Sequence, residues 1–202
     1  MPVATTNNPE AAAREGAAFF LFATPLGRCA LVWRGDAIVG AALPEADDAA
    51  MRRSLARRFP GAVGAEPPPF VAAAAERVVR HFSGEPQDFS ELPLDLSAGS
   101  DFERAVYAAA LAIPCGETRT YGDLARTVGQ PGGAQAVGLA LGRNPVPILV
   151  PCHRILAAAG RSGGFSAPGG VSTKFRMLEI ERARRGDDGG LFETLPLAVK
   201  PA

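Results

Sequence analysis

Short apolar runs separated by turn-forming residues mark the first part of the chain. The runs cover residues 19–24, 28–34 and 37–43, and Pro25-Leu26-Gly27 and Gly35-Asp36 stand between them. Apolar segments of this length, broken by Gly, Pro and Asp, are typical of antiparallel strands joined by tight turns. The pattern therefore predicts an antiparallel meander.

Helical spacing replaces this pattern after the third run. Asp47 stands where it can cap a helix that extends to about Phe59, and a second helix is predicted from about Phe70 to Phe82. The following segment, residues 86–99, combines proline, serine, alanine and glycine in a composition typical of a linker.

Beyond the linker the spacing is helical. Ser100 begins a long helix as its N-cap, with a glutamate three positions later, and Pro114 ends it. Two shorter helices follow at 121–128 and 134–141, with the glycine-containing turn 129–133 between them. Two short helices around a tight turn are typical of a helix-turn-helix, although any all-α domain contains such pairs and the pattern alone leaves both interpretations open. The fold we expect is winged-helix-like.

These elements divide the chain into four predicted segments. A disordered N-terminus at 1–18 precedes a small N-terminal α+β domain at 19–96, which contains the meander. A mainly helical C-terminal domain with the helix-turn-helix covers 97–186, and a tail covers 187–202. The predicted fold class is therefore α+β.

Composition narrows the class of protein. The 202 residues include three cysteines, and no apolar run approaches the ~20 residues that a membrane span requires. An odd number of cysteines in a chain without a secretory signal argues against a disulfide framework and leaves at least one thiol free. We expect a cytoplasmic monomer with reduced thiols, no membrane contact, and no metal or other cofactor.

Charge is unevenly distributed although the net charge is zero. Residues 1–100 carry nine Lys+Arg against twelve Asp+Glu, whereas residues 119–176 carry seven positive side chains against Asp123 alone. A basic stretch attracts the phosphate backbone of a nucleic acid, but loose clusters of arginine are also common on solvated surfaces. The charge pattern alone leaves both interpretations open.

The segment 144–154, with the sequence NPVPILVPCHR, is the most informative part of the chain. Its three prolines exclude a regular helix and a central strand, so we predict a rigid, extended, buried loop. The loop ends in Cys152 and His153, and a thiol becomes a strong nucleophile when a neighbouring base or positive charge makes it a thiolate. The alternative is a buried structural cysteine beside a surface histidine.

Two further cysteines and a histidine are weaker candidates for chemistry. Cys29, Cys115 and His81 together have the side chains of a zinc site, but they lack the paired spacing that such sites usually show. We therefore expect structural cysteines and a histidine that caps the end of a helix.

Three motifs in one order resemble the O6-alkylguanine-DNA alkyltransferases, also called methylated-DNA–protein-cysteine methyltransferases. Residues 113–122 resemble the family's entry to its helix-turn-helix, and residues 144–154 resemble its active-site signature. The closing segment of the family is matched by Gly163-Gly164-Phe165-Ser166 together with Lys174, Leu178 and Glu181. The resemblance covers about 102–181, with a short insertion near 167–168.

The resemblance implies a role for each residue near the cysteine. Cys152 is the implied alkyl acceptor, His153 takes its proton through a water, and Glu181 orients the imidazole. Tyr121 is the implied proton donor to the base, and Asn144 holds the cysteine loop against the recognition helix.

The resemblance also implies a pocket for the alkylated base. The segment around Ser166 is the implied hydrogen-bonding lid over O6, and Phe165, where a tyrosine is common in the family, forms an apolar wall with Pro147. The main-chain carbonyls of Cys152 and Ile155 are expected to accept from the exocyclic amine of guanine.

A carbon on O6 of a stacked base is out of reach of a buried thiol, so the nucleotide must be flipped out of the duplex. The resemblance implies that the helix at 134–141 enters the minor groove of double-stranded DNA containing O6-alkylguanine. Gln135 stands where the family has an arginine that fills the vacated space in the stack. Further expected DNA contacts are Ala134, Arg143, Arg119 and Thr120.

The expected function is DNA repair by stoichiometric, self-inactivating transfer of the alkyl group to Cys152, with O4-alkylthymine as a second candidate substrate. Three other functions fit part of the sequence. A non-enzymatic sensor of alkylated DNA needs no nucleophile, a cysteine hydrolase needs an oxyanion hole and turns over repeatedly, and a transcriptional regulator needs only the helix-turn-helix. The number of alkyl groups transferred per protein molecule distinguishes these functions.

Overall fold

A four-stranded sheet with the order β3-β2-β1-β4 forms the first part of the computed structural model, which describes residues 16–158, 163–185 and 188–190. The strands are β1 (Ala18–Thr24), β2 (Gly27–Arg34), β3 (Ala37–Ala42) and β4 (Val63–Gly64). The first three form the predicted antiparallel meander, and β4, which the sequence pattern did not predict, pairs parallel to β1.

The glycine in the first turn is required by its conformation and its surroundings. Gly27 has a φ of +129°, and a Cβ at this position would lie 2.9 Å from Pro44. Side chains rarely tolerate this backbone region, so the turn between β1 and β2 depends on glycine.

Two helices cover opposite faces of the sheet. Helix α1 (Asp48–Arg58), capped by Asp47 as predicted, packs Met51 and Leu55 against one face. Helix α2 (Pro69–Phe82) buries Val71, Val78 and Phe82 against the other face. Because side chains alternate between the faces of a strand, β1 and β2 supply apolar residues to both layers.

The second half of the chain is mainly helical. It contains α3 (Asp101–Leu111), α4 (Tyr121–Thr127), α5 (Ala134–Gly142), a 3-10 turn (Cys152–Arg154) and α6 (Gly170–Ile180). The predicted capping box of α3 is present, because Ser100 accepts from the backbone of Glu103 and the Glu103 side chain accepts in return. An unpredicted parallel pair joins β5 (Arg119–Thr120) to β6 (Ile155–Leu156) and holds the segment after the cysteine beside the start of α4.

The two segments predicted to be irregular, the N-terminus at 1–18 and the tail at 187–202, both contain residues of strands. Ala18, which the pattern assigned to the disordered N-terminus, is buried at the start of β1 and pairs with Trp33. At the other end β7 (Arg184–Arg185) pairs with β8 (Asp188–Gly190), inside the predicted tail. Residues 1–15, 187 and 191–202 of these two segments lie outside the described residues.

Packing is continuous across the predicted domain boundary near residue 96. One apolar cluster contains Trp33 and Val78 from the first half and Val106 and Val150 from the second. The backbone N–H of Ala41 donates to the carbonyl of Pro145 at 2.9 Å, which ties β3 to the cysteine loop. None of the helices in the described ranges has the length and apolarity to cross a membrane.

Candidate active site

The loop before the cysteine is folded back on itself rather than extended as predicted. Asn144 donates through Nδ2 to the carbonyl of Val150 at 3.0 Å and accepts through Oδ1 from the N–H of Val146 at 3.0 Å. Ile148 has a φ of +82°, a region that β-branched residues rarely adopt. The Asn144 side chain therefore closes a tight turn that the prolines alone did not reveal.

Cys152 lines a cavity of about 1930 Å³, with only 8% of the residue exposed. Burial raises the pKa of its thiol, and this effect outweighs the hydrogen bond from Asn144 and the charge of Lys174, both of which lower it. The thiol is therefore protonated at neutral pH, and a base must remove its proton before or during nucleophilic attack.

His153 has the geometry of that base. Its Nε2 lies 2.8 Å from Oε1 of Glu181, and both side chains are buried. Burial lowers the pKa of the imidazole below its ordinary value, so it is neutral at neutral pH. Because an ionised carboxylate can only accept, Nε2 carries the proton, and Nδ1 keeps a lone pair that no described side chain or backbone group engages.

Glu181 is the residue after the end of α6, and its carboxylate accepts hydrogen bonds from several side chains. Arg154 donates through Nε to Oε2 at 3.0 Å and through its terminal nitrogen to Oε1 at 2.9 Å. Oε1 also lies 2.9 Å from Nε2 of His81. Burial by itself raises the pKa of Glu181, but His153, His81 and Arg154 together lower it well below its usual range. The carboxylate is therefore ionised.

The structure corrects the prediction for His81. This side chain does not cap a helix end at the surface, because it points inward from the last turn of α2 and bonds to Glu181. The sequence carried no signal for this contact, since the two residues are far apart in the chain and only the packing of α2 against α6 brings them together.

Ligand atoms of His81, Cys115 and Glu181 lie within 4.8 Å of one another, which is the arrangement of a potential metal site. Two observations oppose metal binding here. Both oxygens of Glu181 already accept from Arg154, and burial raises the pKa of Cys115 to about 11, so the thiolate ligand is unfavourable. Cys29 lies buried in β2, where burial raises its pKa to about 12.

Most of the residues predicted to form the base pocket line the same cavity as Cys152. These are Pro147, Tyr121, Phe165 and Ser166. The Tyr121 hydroxyl donates to the carbonyl of Gly164 at 3.3 Å, and the Ser166 hydroxyl donates to the carbonyl of Gly142 at 3.2 Å. Burial raises the pKa of Tyr121, so its hydroxyl keeps its proton and can act as a donor.

The predicted acceptor at Ile155 already has a partner. Its carbonyl accepts from Nζ of Lys174 at 2.6 Å, and Lys174 is fully buried. Nζ lies 5.7 Å from the ring centroid of Tyr121 and 5.9 Å from that of Phe165. Burial lowers the pKa of this lysine to about 8. Sequence reasoning gave Lys174 no role, since burial of a lysine leaves no mark in the pattern of a helix.

The predicted DNA contacts divide into two groups. Ala134, Gln135, Arg143 and Thr120 line the cavity. Arg119 is not among its lining residues and instead donates to Glu117 at 2.8 Å. The Thr120 side chain is engaged in the capping box of α4.

Arginines from the first half of the chain reach the same cavity, which the sequence did not indicate. These are Arg34, Arg57 and Arg58. The Arg58 guanidinium also donates to the carbonyl of Pro145 at 2.8 Å, beside the cysteine loop. The charge distribution along the sequence did not indicate these arginines, because the first half of the chain is acidic overall. It also overstated the positive surface charge of the second half, where Arg154 and Lys174 are buried.

The fold and the site define a thiol-dependent enzyme: a buried cysteine lines a cavity together with several arginines, and the next residue is a neutral imidazole bonded to an ionised carboxylate. Residues 101–183 match the family described as 6-O-methylguanine DNA methyltransferase, DNA binding domain. A methylated-DNA–protein-cysteine methyltransferase of Mycobacterium tuberculosis is 44% identical over 122 residues, which are 60% of this chain and 72% of that protein.

Solved structures of methyltransferases are similar to this chain over a larger share of its length. A crystal structure of the Mycobacterium tuberculosis O6-methylguanine methyltransferase superposes with a TM-score of 0.68 at 34% identity, covering 85% of this chain and 96% of that one. A crystal structure of Mycobacterium tuberculosis OGT in complex with DNA superposes with a TM-score of 0.67 at 34% identity, covering 81% and 92%. The chain belongs to the methylated-DNA–protein-cysteine methyltransferase family.

Proposed function

We propose that this chain repairs DNA by moving the alkyl group of O6-alkylguanine onto Sγ of Cys152, once per protein molecule. The observation that carries the proposal is a cysteine that lines the cavity and is followed directly in the chain by an imidazole whose Nε2 bonds to Glu181 at 2.8 Å. A nucleophile paired with an oriented base is the arrangement that activates a thiol which is not ionised by itself.

The chemistry follows from these groups. His153 takes the thiol proton on Nδ1 through a bridging water, and Glu181 stabilises the imidazolium that forms. Sγ bonds to the alkyl carbon as the bond from carbon to O6 breaks, and the electron pair remains on O6. Donors from Tyr121 and Ser166 stabilise the charge that develops on the base. The product is a thioether, which water does not cleave, so the protein is consumed.

Access to the base requires DNA distortion. We assign α4, the turn 129–133 and α5 to a helix-turn-helix whose second helix enters the minor groove and whose cavity receives a flipped nucleotide. Support comes from the cavity itself, which both Gln135 and Cys152 line, and from the DNA-bound relative of similar fold. We further propose that the protein acts as a monomer and that residues 19–96 and 97–186 are its two domains.

Intact mass after incubation with an O6-methylguanine duplex tests the function. We expect a gain of one methyl group per molecule, located on Cys152 by peptide mapping, and the same gain in the control variant Cys29→Ala. Repeated turnover would instead identify a hydrolase. Binding of methylated duplex without any mass gain would identify a sensor of alkylated DNA.

A further inference from the structure

We propose that His81 is a positioning residue of the proton relay, so that the first half of the chain completes the site at which Cys152 is activated. The inference rests on the proposed function, because it assigns a role within the same reaction. The relevant contact is the hydrogen bond between His81, in the last turn of α2, and Glu181, which follows α6. It joins the part of the molecule that contains the sheet to the helical part.

The protonation of His81 follows from its two hydrogen bonds. The side chain is 2% exposed, and its Nδ1 accepts from the backbone N–H of Gln87 at 3.3 Å. A backbone N–H can only donate, so Nδ1 has no proton and Nε2 carries one. Nε2 therefore donates to Oε1 of Glu181, from which it lies 2.9 Å.

The same carboxylate oxygen serves both histidines. Oε1 of Glu181 accepts from Nε2 of His81 and from Nε2 of His153, at 2.9 Å and 2.8 Å. The imidazole of His81 is held in turn by Phe82 and Phe89, whose ring centroids lie 5.6 Å and 5.3 Å away. A fixed donor on this side prevents the carboxylate from turning away from His153.

His81 also affects the proton affinity of His153. The charged and titratable groups near His153 include Glu181 and Arg154, together with His81 and Cys115. At the other end of the relay, the charge of Lys174 acts on the Cys152 thiol. Glu181 raises the pKa of His153, whereas Arg154 and His81 lower it, in addition to the larger lowering by burial. Without the donor at residue 81 the carboxylate would hold a proton on His153 more strongly, and less of the neutral base would be present.

The test compares two substitutions at one position. His81→Leu removes the hydrogen-bond donor. His81→Gln keeps a donor, because its amide nitrogen lies at nearly the same distance from the backbone as Nε2 of histidine. We measure the inactivation rate from pH 5 to 9 with free O6-benzylguanine, which needs no DNA. For His81→Leu we expect an inactivation rate about tenfold lower at neutral pH, as for loss of one charge-assisted hydrogen bond. We also expect the acid limb of the pH profile, where the rate falls as the pH decreases, to be displaced to higher pH. For His81→Gln we expect recovery of most of the rate.

Ser83→Ala, at the same end of α2, is the control, since its hydroxyl bonds only to the carbonyl of Val79 in the described contacts. A wild-type rate and pH profile in His81→Leu would overturn the inference. The inference would also be overturned if His81→Leu lowered the melting temperature but left the acid limb unchanged, and if His81→Gln did not restore the rate. His81 would then have only a structural role. Failure of the wild-type protein to gain a methyl group from an O6-methylguanine duplex would instead refute the proposed function.

Discussion

Burial acts in opposite directions on the two side chains at the centre of the site. It raises the pKa of the Cys152 thiol and lowers the pKa of the His153 imidazole, because in each case it disfavours the charged form. Both groups are therefore neutral at rest. In the proposed reaction, proton transfer between them creates a thiolate and an imidazolium together.

The first prediction concerns the nucleophile. Cys152→Ala should abolish alkyl transfer while leaving the affinity for duplex DNA within about twofold of wild type, because the buried thiol contributes almost no surface to a DNA contact. Mass spectrometry measures the transfer, and fluorescence anisotropy measures the binding. Methyl transfer by this variant would show that another residue is the acceptor.

The second prediction concerns Gln135, which is exposed on α5 beside the cavity. Compared with a guanidinium, a neutral amide offers less stacking surface and no charge to hold the gap that the proposed nucleotide flipping would leave. Gln135→Arg should therefore accelerate repair of methylated duplex about tenfold, as for a gain of ~1–2 kcal/mol, with little change for free O6-benzylguanine. Equal rates for both proteins on the duplex would show that residue 135 does not fill the stack.

At the scale of elements, the segment 163–166 is fitted to the ring of Tyr121. Gly163 has a φ of +63°, and a Cβ there would lie 2.7 Å from the ring carbon Cε2 of Tyr121. The next residue, Gly164, has open space at its Cβ position, and its carbonyl accepts from the Tyr121 hydroxyl. The two adjacent glycines therefore differ in what they tolerate.

The third prediction uses this pair. Gly163→Ala should displace Tyr121 or the lid segment and slow alkyl transfer about tenfold, since both the clash and the positive φ disfavour the native geometry by ~1–2 kcal/mol. Gly164→Ala is the matched control and should retain most of the rate. Similar rates in both variants, measured with free O6-benzylguanine, would contradict the proposed position of the lid.

At the scale of the whole molecule, one buried ionic cluster links distant parts of the chain. Glu181 follows α6, Arg154 lies in the 3-10 turn and also donates to the carbonyl of Ile113, and His81 comes from α2. Removal of one partner from a buried ion pair leaves an uncompensated charge and typically costs about 3–5 kcal/mol. We therefore expect Glu181, the carboxylate proposed to orient His153, to be a determinant of stability as well.

The fourth prediction is the acid dependence of stability. The folded-state pKa of Glu181 lies well below its ordinary value of 4.5, so the unfolded chain takes up the proton first as the pH falls. The stabilisation is present in full above about pH 4.5 and decreases progressively below it. Urea unfolding from pH 3 to 7 measures this loss. Glu181→Gln should lower the stability at pH 7 and flatten its acid dependence, and an equally steep dependence in that variant would assign the effect to other carboxylates.

The local sequence determined most of the elements. The meander, the capped start of α3 and the pair α4 and α5 were predictable because turn residues, caps and apolar spacing act over a few neighbouring positions. Cys152 and His153 were predictable for the same reason, since they are adjacent in the chain and preceded by prolines. The family resemblance added Glu181, whose distance along the chain no local pattern spans.

Tertiary packing decided the surroundings of the site. The bond from His81 to Glu181, the burial of Lys174 and the approach of Arg58 to the cysteine loop join residues from different elements. Each depends on how whole faces of the sheet and helices meet, and a side chain that ends up buried and paired has the same letter as one that remains in solvent. Local preferences therefore specified the elements and the nucleophile, whereas the long-range contacts that set the charges around the nucleophile exist only in the folded chain.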